Sequence, residues 1–425
     1  MNRYLALFRN RNFLLHWLAG ATSNIGDFFN SLAVVKLLSQ DPEHLGLYTS
    51  LIMVSKMVPS LVLGPLAGSV ADRLPRKVVM VAADLVRAVL VFALVFVARP
   101  AAVIGLVFAA AVAAAFFQPA NSALLPSLVK HEQLITAGSL NVMTQRLAML
   151  LGNGLGAAVL MLVGPHGVFA IDAATYLTSA LLLSGLRLPN AAPAGTAAAP
   201  AGPTGEGATR TRAAARFRLV DDLRETAALV RERPLLRHLL IGLGIANLGD
   251  SGTNVLLVTF FTVTLGVATE QLGFVWAAFG GAAMLGSLAI GAVGSRVHWQ
   301  TLFSLGCVYI WFTATGAMLA SSLIPSAAFL IMLGLGSGAI NVGLQVAVAE
   351  LVPDHLRGRI FGTWGTVSSL IMVTGNLVAG VLADRIGPAV TMLGFALAYL
   401  AAGLYGHFNL RPKGGAASPA AAKGV

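Results

Sequence analysis

Cysteine is almost absent from this 425-residue chain, and charge is scarce. The single thiol, Cys307, excludes an intramolecular disulfide framework and any multi-cysteine metal site. Asp, Glu, Lys and Arg together make up 11% of the residues, where a soluble protein uses about a quarter to cover its surface. No G-x-x-x-x-G-K-[ST] phosphate loop and no H-E-x-x-H pair occurs, so the chain carries no motif for ATP hydrolysis or zinc proteolysis. No cofactor, metal or catalytic constellation is expected, and an enzyme reading is set aside.

What fills the chain instead is apolar sequence, at 57% hydrophobic residues. The longest stretch without a charged residue, Val297 to Ala349, runs for 53 residues. A hydrocarbon core is crossed by about 20 helical residues, so this run holds two crossings with a turn near Ser321 to Ser326. Reading all the apolar runs in this way predicts helices over 13–36, 46–70, 78–98, 101–121, 139–163, 166–186, 238–264, 270–294, 299–319, 324–349, 362–383 and 388–408. The expected fold is an all-α membrane protein with twelve transmembrane helices.

An even number of crossings puts both termini on one side. The loops on that side hold 22 Lys and Arg, including nine between Arg187 and Arg237, and the opposite loops hold three: Lys36, Arg99 and Arg385. By the positive-inside rule both termini are cytoplasmic. The net charge of +11 therefore reports topology, and no nucleic-acid partner is expected. Arg3, Arg9 and Arg11 before Ala19-Gly20-Ala21 imitate a cleaved secretory signal. His16 and Trp17 interrupt its apolar core, so the first helix is expected to stay.

The chain divides at its one long polar segment. Residues 1–186 form a first six-helix half, 187–237 a cytoplasmic linker, 238–410 a second half and 411–425 a disordered tail. Within the linker, Ala191 to Thr211 reads as flexible, and Arg216 to Arg237 as an amphipathic surface helix. The halves resemble each other. A shift of 223 residues lays Asn24-Ile25-Gly26-Asp27 on Asn247-Leu248-Gly249-Asp250, and Gly152-Asn153 with Gly164-Pro165 on Gly375-Asn376 with Gly387-Pro388. A shift of 227 matches Leu45-Gly46 to Leu272-Gly273. Pseudo-symmetric halves place a substrate site between them near the midplane.

Ionisable residues at membrane depth face a bundle interior or a water-filled cavity. Asp27 and Lys56 each lie about 21 Å from the cytoplasmic end of their helices at 1.5 Å per residue, so they are expected to pair. The pair is either a proton or cation site or a packing contact. Asp250 occupies the matching depth with no basic partner evident. It suits proton or substrate-ammonium binding, or an interhelical hydrogen bond. Arg146 is placed to meet Asp84 or an anionic substrate, Asp84 and Arg87 to pair locally one turn apart, and Asp172 to be solvated near the outer end of its helix.

Between the second and third helices stands Gly68-Ser69-Val70-Ala71-Asp72-Arg73-Leu74-Pro75-Arg76-Lys77. It resembles the G-x-L-A-D-R-x-G-R-K loop of the major facilitator superfamily, with Pro75 in place of the second glycine. The resemblance implies a conformational latch in which Gly68 permits close helix approach, Asp72 pairs with a basic group or helix end, and Arg73, Arg76 and Lys77 hold the cytoplasmic face. Three further stretches narrow it to a bacterial drug and siderophore exporter group: Phe116-Phe117-Gln118-Pro119-Ala120-Asn121-Ser122-Ala123-Leu124-Leu125-Pro126, Val352 to Gly362, and Asp84-Leu85-Val86-Arg87-Ala88.

This group resemblance implies a monomer in the bacterial inner membrane, among lipids, exporting a small amphipathic substrate by alternating access against protons. Two departures bear on coupling: 101–121 contains no arginine, and Asn153 stands where antiporters usually have proline. A lysophospholipid translocator, an uptake permease and a non-transporting receptor are the alternatives.

Overall fold

The computed structural model describes residues 7–187, 229–293, 298–352 and 354–410. The linker reading falls mostly on 188–228 and the tail reading on 411–425, both outside these residues.

Long apolar stretches satisfy their own backbone only as helix in lipid, and helix is what they form. We label the helices α1 (Arg11–Leu38), α2 (Leu45–Arg73), α3 (Arg76–Ala93) and α4 (Pro100–Leu128). The continuous stretch Leu134–Ser184 is broken at Gly164, whose φ of 68° is open to glycine at little cost, leaving α5 (134–163) and α6 (165–184). After the central segment come α7 (Pro234–Thr259), α8 (Thr269–Val293), α9 (Trp299–Leu319), α10 (Leu323–Leu351), α11 (Asp354–Ile386) and α12 (Pro388–Asn409). Gly387, at φ 89°, makes the α11–α12 corner as Gly164 makes the α5–α6 corner, 223 residues earlier. Each corner is followed by a proline at the first helical position, where its missing N–H costs nothing. Among the described residues, seven helical stretches are long and apolar enough to cross a membrane, with Thr136–Ser184, which holds most of α5 and all of α6, counted as one of them.

Helices α1 to α6 pack on one another, as do α7 to α12, around separate apolar cores. The two groups meet chiefly where α2 lies on α11 and α5 lies on α8. Three polar contacts between them sit at one end. There the Leu47 N–H donates to Asp384 Oδ2 (3.2 Å), Thr49 and Thr259 share a hydrogen bond (3.4 Å), and Lys36 Nζ pairs with Glu270 Oε1 (2.9 Å). Small residues permit this seam, with Gly380 set against Ser50 and Gly273 against Ala157.

The opposite end carries the basic loops, and four of its glycines face open space. A methyl group added at Gly68 would meet nothing within 4 Å, and the same holds at Gly64, Gly362 and Gly365. The close approach expected of Gly68 is therefore not made here. Asp72 and Arg73 are exposed and, among the described residues, make no hydrogen bond or ion pair. Arg76 donates to the Ala123 carbonyl (2.7 Å) and Lys77 to the Leu186 carbonyl (2.9 Å), tying the loop to the ends of α4 and α6.

Candidate functional site

Three helices of the first group carry polar residues at helical spacing on otherwise apolar rods. On α1 these are Asp27, Asn30 and Ser31; on α3, Asp84 and Arg87; on α6, Asp172, Thr175, Tyr176 and Ser179. Residues three, four and seven apart share a helix face, so each set forms one stripe. The stripes converge. Gly26 lets α1 and α6 approach, since a methyl group there would lie 2.2 Å from Asp172 Oδ1.

Arg87 is the hub of the cluster. Its Nη2 donates to both Asp27 oxygens (3.2 and 3.3 Å) and to the Tyr176 hydroxyl oxygen (2.5 Å), and its Nη1 donates to Asp84 Oδ1 (3.3 Å). Tyr176 in turn donates to Asp27 Oδ1. The guanidinium carbon lies 4.0 Å from the Tyr176 ring centre and 5.8 Å from that of Phe117, within cation–π range. Asp84 is fully buried and accepts a second bond from Ser179 Oγ (2.6 Å). This satisfies the rule that a buried charge is paired and hydrogen-bonded.

The expected partnership of Asp27 with Lys56 is not made. Equal depth on two helices leaves their rotation free, and the longer Arg87 side chain reaches Asp27 from α3 while Lys56 Nζ donates to Ser31 Oγ (2.8 Å). Asp172 is a second correction. It is wholly buried rather than solvated, accepting from Asn30 Nδ2 (2.8 Å) and Thr175 Oγ1 (3.2 Å). Arg146 is exposed on α5 and, among the described residues, makes no ion pair; Asp84, its suggested partner, is taken by Arg87 and Ser179.

In the second group Asp250 lacks a basic partner among the described residues, but it is not alone, for the Tyr399 hydroxyl donates to its Oδ1 (3.0 Å). Asn247 beside it donates to Ser368 Oγ (2.7 Å), and Asn254 is exposed. Shifting Asp27 and Tyr176 by 223 gives Asp250 and Tyr399, so the acid–tyrosine pair occurs once in each group. Arg87 has no such copy; the shifted position is Ile310.

A cavity of about 360 Å³ opens beside the cluster. Asp27, Lys56, Arg87, Gln118 and Tyr176 give it polar points, and Leu94, Leu106, Val107, Ala110, Ala111 and Ala114 give it an apolar wall. Its size and its few polar groups in an apolar lining are those of a small-molecule site. Gln118 and Phe117 come from the Phe116 to Pro126 stretch on α4. No three His, Cys, Asp or Glu among the described residues are grouped to hold a metal.

Residues 13–375 match the sequence model of the Major Facilitator Superfamily. The chain belongs to that family. Its members include an uncharacterized MFS-type transporter, YfiS of Bacillus subtilis, 28% identical over 91% of this chain and 90% of that one. Macrolide efflux protein A of Streptococcus pyogenes is 23% identical over 87% and 89% of the two chains. The multidrug efflux pump Tap of Mycolicibacterium fortuitum is 28% identical over 93% and 95%. Among solved structures, the nucleoside transporter NupG superposes with a TM-score of 0.70 at 16% identity, covering 95% of this chain and all of that one. A bacterial homologue of the iron transporter ferroportin, in an inward-facing state, gives 0.66 at 13% identity over 95% and 98%. These structures share the fold. Family membership makes this superfamily protein a multi-pass membrane transporter rather than an enzyme.

Proposed function

We propose that the protein is a secondary active transporter of the bacterial inner membrane that exports a small amphipathic molecule, drug-like, macrolide-like or siderophore-like, in exchange for protons. Its α1 to α12 are twelve crossings in two pseudo-symmetric halves, 1–186 and 238–410, joined by a cytoplasmic segment, with both termini cytoplasmic and the chain working as a monomer. On that topology the seam at Lys36–Glu270 and Leu47–Asp384 faces outward and the basic end, where Gly64, Gly68, Gly362 and Gly365 face open space, faces the cytoplasm, as in the inward-facing arm of an alternating-access cycle.

The observation that carries this reading is the Asp27–Arg87–Asp84 cluster with Tyr176 beside a largely apolar cavity. Charged groups at membrane depth mark substrate and ion pathways, and Asp27, whose side chain is 46% exposed, is the carboxylate of the cluster that reaches the cavity. Asp27 is the proton site of the proposal, and Asp250 with Tyr399 is its counterpart in the second half. The efflux proteins among the relatives support the outward direction.

The test is uptake into inside-out vesicles of a panel of macrolides, lipophilic cations, iron chelators and lysolipids, with and without an imposed proton gradient. Gradient-dependent uptake that Asp27→Asn abolishes is expected. Gradient-independent uptake would replace proton exchange with a facilitator or a lipid translocator, and ligand binding without flux would leave a receptor.

A further inference from the structure

The cavity contains one charge that the protein itself leaves uncommitted. Both oxygens of Asp27 accept from Arg87, and one also accepts from Tyr176; Asp84 lies fully buried behind the guanidinium, and Asp172 is sealed between α1 and α6. Lys56 is different. Its ammonium has three donors, and among the described residues it makes one hydrogen bond, to Ser31, with no carboxylate within 4.0 Å. The residue is exposed where it lines the cavity. Gln118 on α4, also exposed there, makes no hydrogen bond among the described residues.

An ammonium at membrane depth with no carboxylate in direct contact is costly, and it would be relieved by contact with Asp27 lining the same cavity. The fold instead gives Asp27 to Arg87 and leaves Lys56 on Ser31 at the cavity wall. Around that space Leu106, Val107, Ala110 and Ala111 on α4 offer no hydrogen-bonding side chain.

We propose that the cavity takes the acidic head of an amphipathic anion, a carboxylate or phenolate, which accepts hydrogen bonds from Lys56 and Gln118 while its apolar body lies along the α4 wall. This rests on the transport reading above and names the substrate class of that site. It also has an electrical consequence. A monoanion leaving as one proton enters moves two charges in the same electrical sense per cycle, whereas a monocation leaving in exchange for a proton moves none.

The experiment is equilibrium dialysis of the full chain in lipid nanodiscs, without any gradient, against three naphthyl probes that differ in charge: 1-naphthylacetate, its isosteric neutral amide 1-naphthylacetamide, and the amine 1-naphthylmethylamine. The acid is expected to bind at least about tenfold tighter than the amide, the worth of one charge-assisted hydrogen bond. Lys56→Gln should bring acid and amide level, and Lys56→Arg should keep the order. In the unmodified protein the acid should slow acylation of Lys56, read by mass spectrometry, and the amide should not, so the result stands even if Lys56→Gln fails to fold. Tightest binding of the amine, an acid preference unchanged in Lys56→Gln, or no binding of any probe would overturn the proposal. Acid-selective binding with no flux in vesicles would overturn the transport reading alone, and gradient-driven flux of amines alone would overturn this one.

Discussion

The hydroxyl of Tyr176 on α6 donates to the carboxylate of Asp27 on α1, closing a contact across 149 positions of the chain. The same separation joins Tyr399 to Asp250. A contact between the first and last helix of one group, repeated in the other, is what a duplicated unit would leave behind. Only the first copy has an arginine pressed against it. The two helix groups therefore differ in charge while sharing one piece of hydrogen bonding, and the first group holds the more tightly connected site.

Arg87→Ala is expected to be among the most damaging single changes in the first half. It strands Asp84 without its cation in a fully buried position, and breaking a buried pair on one side costs about 3–5 kcal/mol. Thermal unfolding of purified protein should show the loss. Combining Arg87→Met with Asp84→Asn should recover a substantial part of it, since no uncompensated charge then remains at position 84.

Tyr176→Phe keeps the ring against the guanidinium and removes only the hydroxyl, so the protein should fold with a loss of about 1 kcal/mol. Transport should suffer more than stability. On the reading that Asp27 carries the proton, the pH profile of gradient-driven uptake should move in Tyr176→Phe and much less in Tyr399→Phe. Equal displacement by the two variants would assign the halves equal parts in coupling.

Thr49→Cys with Thr259→Cys should lock the seam. The two hydroxyl oxygens lie 3.4 Å apart across the helix groups, close to the reach of a disulfide. Cys307 is buried and offers no competing thiol at the seam. Under oxidation, uptake should fall to background and return on adding a reductant. Full activity of a verified cross-linked protein would mean that this end never opens.

Gly286→Ala should destabilise while Gly105→Ala should not. A methyl group at Gly286 would stand 1.9 Å from the Leu335 carbonyl oxygen and force α8 off α10, whereas nothing lies within 4 Å of the same point at Gly105. Overpacking of this kind costs about 1–3 kcal/mol, and alanine in place of an unpacked helical glycine gains about 0.5–1 kcal/mol. Melting temperatures of the two variants on either side of the parent would show this.

How much of this was legible beforehand follows from what hydropathy encodes. The helices lie within several residues of the apolar runs, because chain entering lipid must satisfy its own backbone. The α5–α6 and α11–α12 corners were readable from Gly164-Pro165 and Gly387-Pro388. Depth was readable for Asp27 and Lys56, but the rotation of each helix was not, and rotation decides that Arg87 and not Lys56 meets Asp27. The burial of Asp172 escapes the sequence for a similar reason, since counting residues from a helix end cannot show that Gly26 brings another helix over it. Tyr176 is one of six tyrosines, and no local motif marks it. Extending the 223-residue shift to it, where it lands on Tyr399, would have singled it out.

The seam between the helix groups is built from Gly46, Gly273, Gly380 and Ser50, with three polar bridges and little bulk. Such a joint parts without tearing large side chains from their sockets, so the resting population of the two arrangements can be tilted by one wedge. A leucine at Gly380, where a methyl carbon would already stand 2.3 Å from Ser50 Oγ, would prop this end apart and hold the molecule in its opposite posture, ready for antibodies that recognise that posture alone.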